Sequence, residues 1–172
     1  MATNLEFITE TEVTSAVTSF DFDNIFSEDY DVYQIIFRNF NYGNNANWIS
    51  LRFLDISGSV ISTANYDYAS LQMKAQTTFT EYRGTGATQL PYGIYTNNNQ
   101  GYGSVLTVYN PYDSGSYTFT AQQDSVFINT VNLYGHKNIG VLKIAGTHRG
   151  INLDTRNTNT FNSGNIQVYG VK

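Results

Sequence analysis

The side chains able to do chemistry are few in this chain, and their spacing fits no reactive centre. The densest carboxylate group is Asp21, Asp23, Glu28, Asp29 and Asp31. A helix-loop-helix calcium site needs an oxygen ligand at the fifth loop position and glycine at the sixth. Counted from Asp21, those positions hold Ile25 and Phe26, so the motif fails. An irregular calcium site and a solvated turn remain as the two readings. Asp29-x-Asp31 has the spacing of the metal-binding dyad of some glycosyltransferases, but no nucleotide-binding pattern accompanies it. The two histidines, His136 and His148, come without an HExxH helix or any thiolate. Arg149 beside His148 disfavours a bound cation there. Gly101-Tyr102-Gly103-Ser104 lacks the Lys-Ser/Thr of a phosphate loop, and no helix follows it. No G-x-S-x-G elbow anchors a serine nucleophile. Glutamate is confined to Glu6, Glu10, Glu12, Glu28 and Glu81, and three of these crowd the N-terminus. The reading is therefore non-enzymatic, with no catalytic residue, no metal site and no cofactor.

A different chemistry, recognition, has better material. Tyr82, Tyr92, Tyr95, Tyr102, Tyr109 and Tyr112 lie in or beside stretches rich in Asn and Gly, among them Asn97, Asn98 and Asn99. Tyrosine offers a wide amphipathic face at low entropic cost, and asparagine offers adaptable hydrogen bonds. On a sugar, the rings would stack and the amides would meet hydroxyls. On a protein neighbour, the same residues would make a wet, neutral contact. Tyr82, Tyr92, Tyr95, Asn97, Asn98, Asn99, Tyr102 and Tyr112 are the candidate contacts.

Such loops need a scaffold, and composition points to β structure. Only 13% of residues are charged while 15% are aromatic, so the surface must be neutral and polar rather than ionic. The net charge of −5 and the scattered Lys and Arg exclude a phosphate-gripping surface, hence no nucleic acid partner. No run approaches the roughly 18 apolar residues of a membrane span, so no membrane partner is expected. The opening MATNLEFITETEV has neither the basic nor the apolar part of a secretory signal. The absence of cysteine removes disulfides and thiolate sites.

No window sustains helical apolar spacing with good helix formers. Residues 9–19 (TETEVTSAVTS) come nearest, and their Thr and Ser content argues against a helix. Short alternating runs divided by turn clusters predict strands at 17–22, 31–40, 48–56, 60–62, 66–76, 104–110, 116–121, 125–132, 140–145, 151–154 and 165–171. Tyr33, Ile35 and Phe37 share one face of the longest run, and Ile49, Leu51 and Phe53 share a face of the next. Residues 83–103 read as a long irregular region, functional or flexible by its length. The expected fold is all-β: an antiparallel β-sandwich, jelly-roll-like, of about eight to ten strands. It forms a single domain over residues 17–172 with a short N-terminal arm, residues 1–16, that either docks on a neighbour or is disordered.

The order of segments carries a resemblance. FDFDNIFSEDYDVYQIIFRNF (20–40), ISLRFLDISGSVISTANYDYAS (49–70), SVLTVYNP (104–111) and FNSGNIQVYGVK (161–172) resemble a family of bacteriophage virion proteins. The family is common in phages of marine bacteria and is usually described as tail fibre or virion structural protein. The resemblance rests on Tyr30-Asp31-Val32-Tyr33, Leu51-Arg52-Phe53, Asn65-Tyr66-Asp67-Tyr68-Ala69 and the terminal stretch Ser163–Gly170. It implies a β-sandwich mounted on the exterior of a virion, partnered by other virion proteins and commonly a homotrimer. It implies no catalytic residues. Two functions are open on this reading. One is a tail or fibre appendage that binds host cell-surface glycan through the Tyr, Asn and Gly loops. The other is a capsid decoration protein held to the shell by its N-terminal arm.

Overall fold

The computed structural model describes residues 4–42, 48–92, 102–128, 132–156 and 160–172. Twelve strands and no helix lie among them. The strands are β1 (Leu5–Val13), β2 (Ser19–Phe22), β3 (Val32–Tyr42), β4 (Ile49–Asp55), β5 (Tyr66–Lys74) and β6 (Thr80–Ala87). They continue with β7 (Leu90–Tyr92), β8 (Tyr102–Tyr109), β9 (Thr118–Ile128), β10 (Asn132–Leu142), β11 (His148–Asp154) and β12 (Phe161–Val171). All pairings are antiparallel.

Two sheets result. The larger has the order β1-β12-β3-β8-β9-β10-β5-β6 and the smaller β2-β11-β4-β7. Eight of the strands have jelly-roll connectivity. The chain passes from β1 to β2 to β3 to β4 and from β7 to β8, changing sheet at each step, and β11 and β12 return beside β2 and β1. The sandwich expected from the sequence is therefore the fold. The other four strands arrive as two hairpins, β5-β6 between β4 and β7 and β9-β10 between β8 and β11. Both hairpins extend the larger sheet past β8, beyond the width of the smaller one.

Between the two sheets lies a core of aromatic and branched side chains. Tyr33, Ile35 and Phe37 point inward from β3, as their spacing requires, and face Ile49, Leu51 and Phe53 of β4. Asn39, at φ 52°, interrupts the alternation, so that Phe40 joins the core instead of solvent. Phe40 then packs edge-on against Phe161 (5.8 Å between centroids) and Phe37 (5.6 Å). Opposite this bulge stands Gly164, and a Cβ there would overlap the Phe40 ring. Two buried tyrosine hydroxyls are satisfied by the backbone. Tyr33 donates to the Ser27 carbonyl at 3.0 Å. Tyr66 donates to the Ile61 carbonyl at 2.8 Å and accepts from the Phe53 N–H at 3.1 Å, and burial pushes its phenol up to about 12.

Several expectations are corrected. The segment read as an arm is not free: Leu5–Val13 is edge strand β1, in register with β12 from Leu5↔Val171 to Val13↔Gly164. Glu10 bonds the Asn165 and Gln167 amides, and Glu6 pairs with Lys172 at 2.8 Å, so the polar residues that suggested an arm fasten the edge. Residues 83–103 are not one loop, since β6 and β7 occupy much of that stretch. The glycines that suggested a loop serve other ends: Gly84 makes room for the Tyr68 ring. The three runs expected between 116 and 145 are two long strands, β9 and β10, paired from Thr118↔Leu142 to Ile128↔Asn132. Beyond the turn at Gly58, residues 60–62 contribute only the single bridge Leu54↔Val60.

Gly164→Ala should lower stability by about 2 kcal/mol, the cost of forcing a methyl into packed core. A drop in the urea midpoint at unchanged slope would register it, and Phe40→Leu in the same background should recover part of the loss.

Candidate functional site

The residues named as recognition contacts scatter in the structure. Tyr92 and Tyr102 are not loop residues but core: both are at most 5% exposed. Tyr92 closes β7 with its hydroxyl bonded to the Thr120 side chain, and burial holds its phenol far above the usual range. Tyr102 opens β8, where its hydroxyl donates to Asp124 Oδ2 at 3.3 Å and accepts from Gln122 Nε2 at 2.7 Å. Tyr82 is half-buried on β6 with its ring edge-on to Trp48 at 5.0 Å. Tyr112 is half-buried against the core near the β8–β9 turn. Tyr95, Asn97, Asn98 and Asn99 lie outside the described residues. What the structure does bring together is at the two ends of that stretch, where Tyr92 and Tyr102 are both locked into the interior.

The sheet extension carries two features that residue spacing did not announce. The first is a buried polar row crossing β8, β9, β10 and β5. Ser104, Asp124, His136 and Gln72 stand opposite one another in register. His136 is fully buried; its Nδ1 is 2.8 Å from Asp124 Oδ1, and Gln72 Nε2 is 2.9 Å from its Nε2. An amide N–H donating to Nε2 leaves the imidazole proton on Nδ1, directed at the carboxylate. Asp124 Oδ1 also accepts the His136 backbone N–H at 2.9 Å. Burial raises the Asp124 carboxyl, and the His136 contact opposes that shift. The neighbouring row continues the network. Asn138 Nδ2 donates to Gln122 Oε1 at 2.6 Å, and Gln122 Nε2 donates to Ser104 Oγ at 2.8 Å. Trp48 lies against His136 at 5.8 Å between ring centres. Asp124 and His136 have the carboxylate–imidazole half of a hydrolytic triad. The far nitrogen meets an amide, however, not a hydroxyl, and the pair has no exposed surface.

The second feature is the opposite face of the same strands. Side chains alternate across a strand, so polar groups directed inward leave the other parity outside. One outward row reads Val32, Tyr109, Phe119 and Val141 across β3, β8, β9 and β10. The next reads Thr107, Ala121, Ile139 and Ala69 from β8 to β5. Val105 and Leu71 follow one row on, then Phe127 beside Leu133. Tyr109, Phe119, Phe127, Leu133, Val105 and Ile139 are between 38% and 63% exposed. Between Tyr109, Phe119, Ile139 and β6 the face is hollowed by an apolar cavity of about 510 Å³. Alternation was visible in these runs, but only the register showed which parity faces out.

Among the described residues no group of three or more His, Asp or Glu is placed to hold a metal ion. In comparisons with known proteins the chain matches no family model, no curated protein and no solved structure.

The buried row makes a stability prediction with a sign. Removing the imidazole in His136→Leu leaves Asp124 without its main partner, at a cost of about 3 kcal/mol near neutral pH. A carboxyl whose folded-state affinity for protons exceeds that of the unfolded chain favours folding as pH falls. The variant's deficit against wild type should therefore shrink between pH 7 and pH 4. Urea unfolding of both proteins across that range would show the convergence, and a constant gap would contradict it.

Proposed function

We propose that the chain is a non-enzymatic structural protein of a bacteriophage particle, a tail or fibre appendage on the virion exterior that engages host-surface glycan. One observation carries the assembly part of this reading: a strand-built face that exposes Tyr109, Phe119, Phe127, Leu133 and Ile139 while polar residues are buried behind it. Apolar patches of this extent on soluble proteins mark surfaces that are covered in use. The family resemblance supplies the setting, and a rigid jelly roll suits a particle component. The glycan part is supported by the placement of Tyr92 and Tyr102. Their buried rings fix the two residues that flank the Asn-rich stretch 93–101 in sequence, and recognition segments work best when mounted on a fixed frame.

The alternative, a capsid decoration held by residues 1–16, has less support. Leu5–Val13 is already paired along its length as β1, so it is not a spare arm for gripping a shell.

Mass spectrometry of purified particles from the phage encoding this chain should find it at low copy number relative to the major shell protein. A copy number matching the shell would favour the decoration reading, and absence from particles would overturn both. Replacing Tyr95, Asn97, Asn98 and Asn99 together by alanine should abolish binding of the purified protein to host cells without changing its melting temperature. Undiminished binding would remove those residues from the recognition surface.

A further inference from the structure

We propose that the outward face of β3, β8, β9, β10 and β5 is the surface through which copies of this chain associate with one another. This deepens the reading given above by naming the partner of the exposed face. The occupant is a second copy, on three grounds.

The first is size. Five neighbouring strands from β3 to β5 at about 4.8 Å spacing, and eight residues at about 3.4 Å rise, span roughly 24 by 27 Å. That plane is on the order of the 800 Å² that each partner contributes to a stable interface. The second is charge. The chain as a whole carries −5, yet this face carries little charge: Lys137 and the Asp67–Lys143 pair lie on it, with Arg83 and Glu81 on the adjoining β6. Asp67 is itself neutralised by Lys143 at 2.9 Å. A second copy brought onto the face therefore meets mostly apolar surface and, apart from Lys137, no unpaired charge of its own sign. An anionic bilayer or a polyanion would find no cationic cluster there to hold it.

The third is the closure of the other routes to self-association. Sheet edges are the usual template for adding a strand. At one edge β1 carries Glu6, Glu10 and Glu12. At the other, β6 is interrupted by Gly84 and Gly86, the latter at φ 61°. In the smaller sheet β7 is three residues long and holds Pro91, which has no N–H to donate. The other edge of that sheet, β2, is only four residues long. With the edges short or guarded, the unguarded surface is the face.

The test uses purified full-length protein. Native mass spectrometry and light scattering at micromolar concentration should give an integral multiple of 19.3 kDa. Phe119→Glu with Ile139→Glu should shift the species to a single chain. Both side chains point away from the core, so the circular-dichroism spectrum and urea midpoint should stay near wild type. Phe79→Glu, at an exposed turn off this face, should leave the oligomer intact. A monomeric wild-type protein overturns the proposal, as does an oligomer that survives the double substitution with its fold intact. If the double variant misfolds, Ile139→Lys alone, read by the same masses, decides. None of these outcomes depends on whether the protein is found in particles, so the surface and the virion reading fail separately.

Discussion

Along a strand a sequence makes one choice, which parity faces in, and neighbouring strands in register must share it. In the larger sheet that choice is set by β3 and β8. Tyr33, Ile35 and Phe37, with Leu106 and Val108, can only face the smaller sheet. Hydrogen-bonded register then dictates parity in β9, β10 and β5 in turn. There it sends Gln122, Asp124, His136, Asn138 and Gln72 inside, and Phe119, Phe127, Leu133 and Ile139 outside. A slip of one residue would bury those four apolar side chains, each worth about 1.5–3 kcal/mol. It would also turn Val126 and Leu142 out of the core. The sheet's continuity therefore fixes an arrangement that the extension alone would not choose.

The buried polar row makes that arrangement tolerable. Polar groups inside a protein cost little only when their donors and acceptors meet, and a half-paired network is worse than none. Asp124 receives the imidazole, the His136 N–H and the Tyr102 hydroxyl, while Gln122 links Tyr102, Ser104 and Asn138. Because these bonds run from strand to strand in register, they also resist slippage. β7 completes the cover over the nearer part of the extension. Leu90 sits so close to Gly140 that a Cβ there would lie 2.6 Å from its methyl carbon.

How much of this could be read from the sequence depends on where each strand finds its partners. Tyr33, Ile35 and Phe37 were legible because alternation and core agree in β3. The extension was not, because in β9 Thr-Phe-Thr-Ala-Gln alternates plainly while its apolar members face outward. Nothing local in 118–122 reveals that inversion; it is imposed by Leu106 and Val108 on the neighbouring strand. Tyr92 and Tyr102 were misjudged for a related reason. Their flanks are rich in Gly and Asn, but their rings are buried by Thr120, Asp124 and Gln122, some twenty to thirty residues away. Edge strand β1 was obscured because its Thr and Glu content is what an exposed edge needs and also what a loose arm displays.

The two hairpin insertions explain why polar and apolar positions trade places where they do. Over β12, β3 and β8 the smaller sheet supplies an opposing layer, and inward residues are apolar. That sheet ends at β7, which reaches β10 at Gly140 near the end where Leu142 and Tyr66 are core; toward His136 and Gln72 no strand of the smaller sheet follows it among the described residues. An inward Leu or Phe there would lack a facing layer to pack against, whereas Gln72 meets His136, His136 meets Asp124 and Asn138 meets Gln122 across the strands, with Trp48 and Tyr82 beside them. The apolar content that a strand needs for its β-propensity is left for the outer side. A jelly roll enlarged on one sheet thus acquires an inner lining that is hydrogen-bonded except at Asn138 Oδ1 and Ser70 Oγ, and an apolar outer one, and the outer one is where the physics calls for a neighbour.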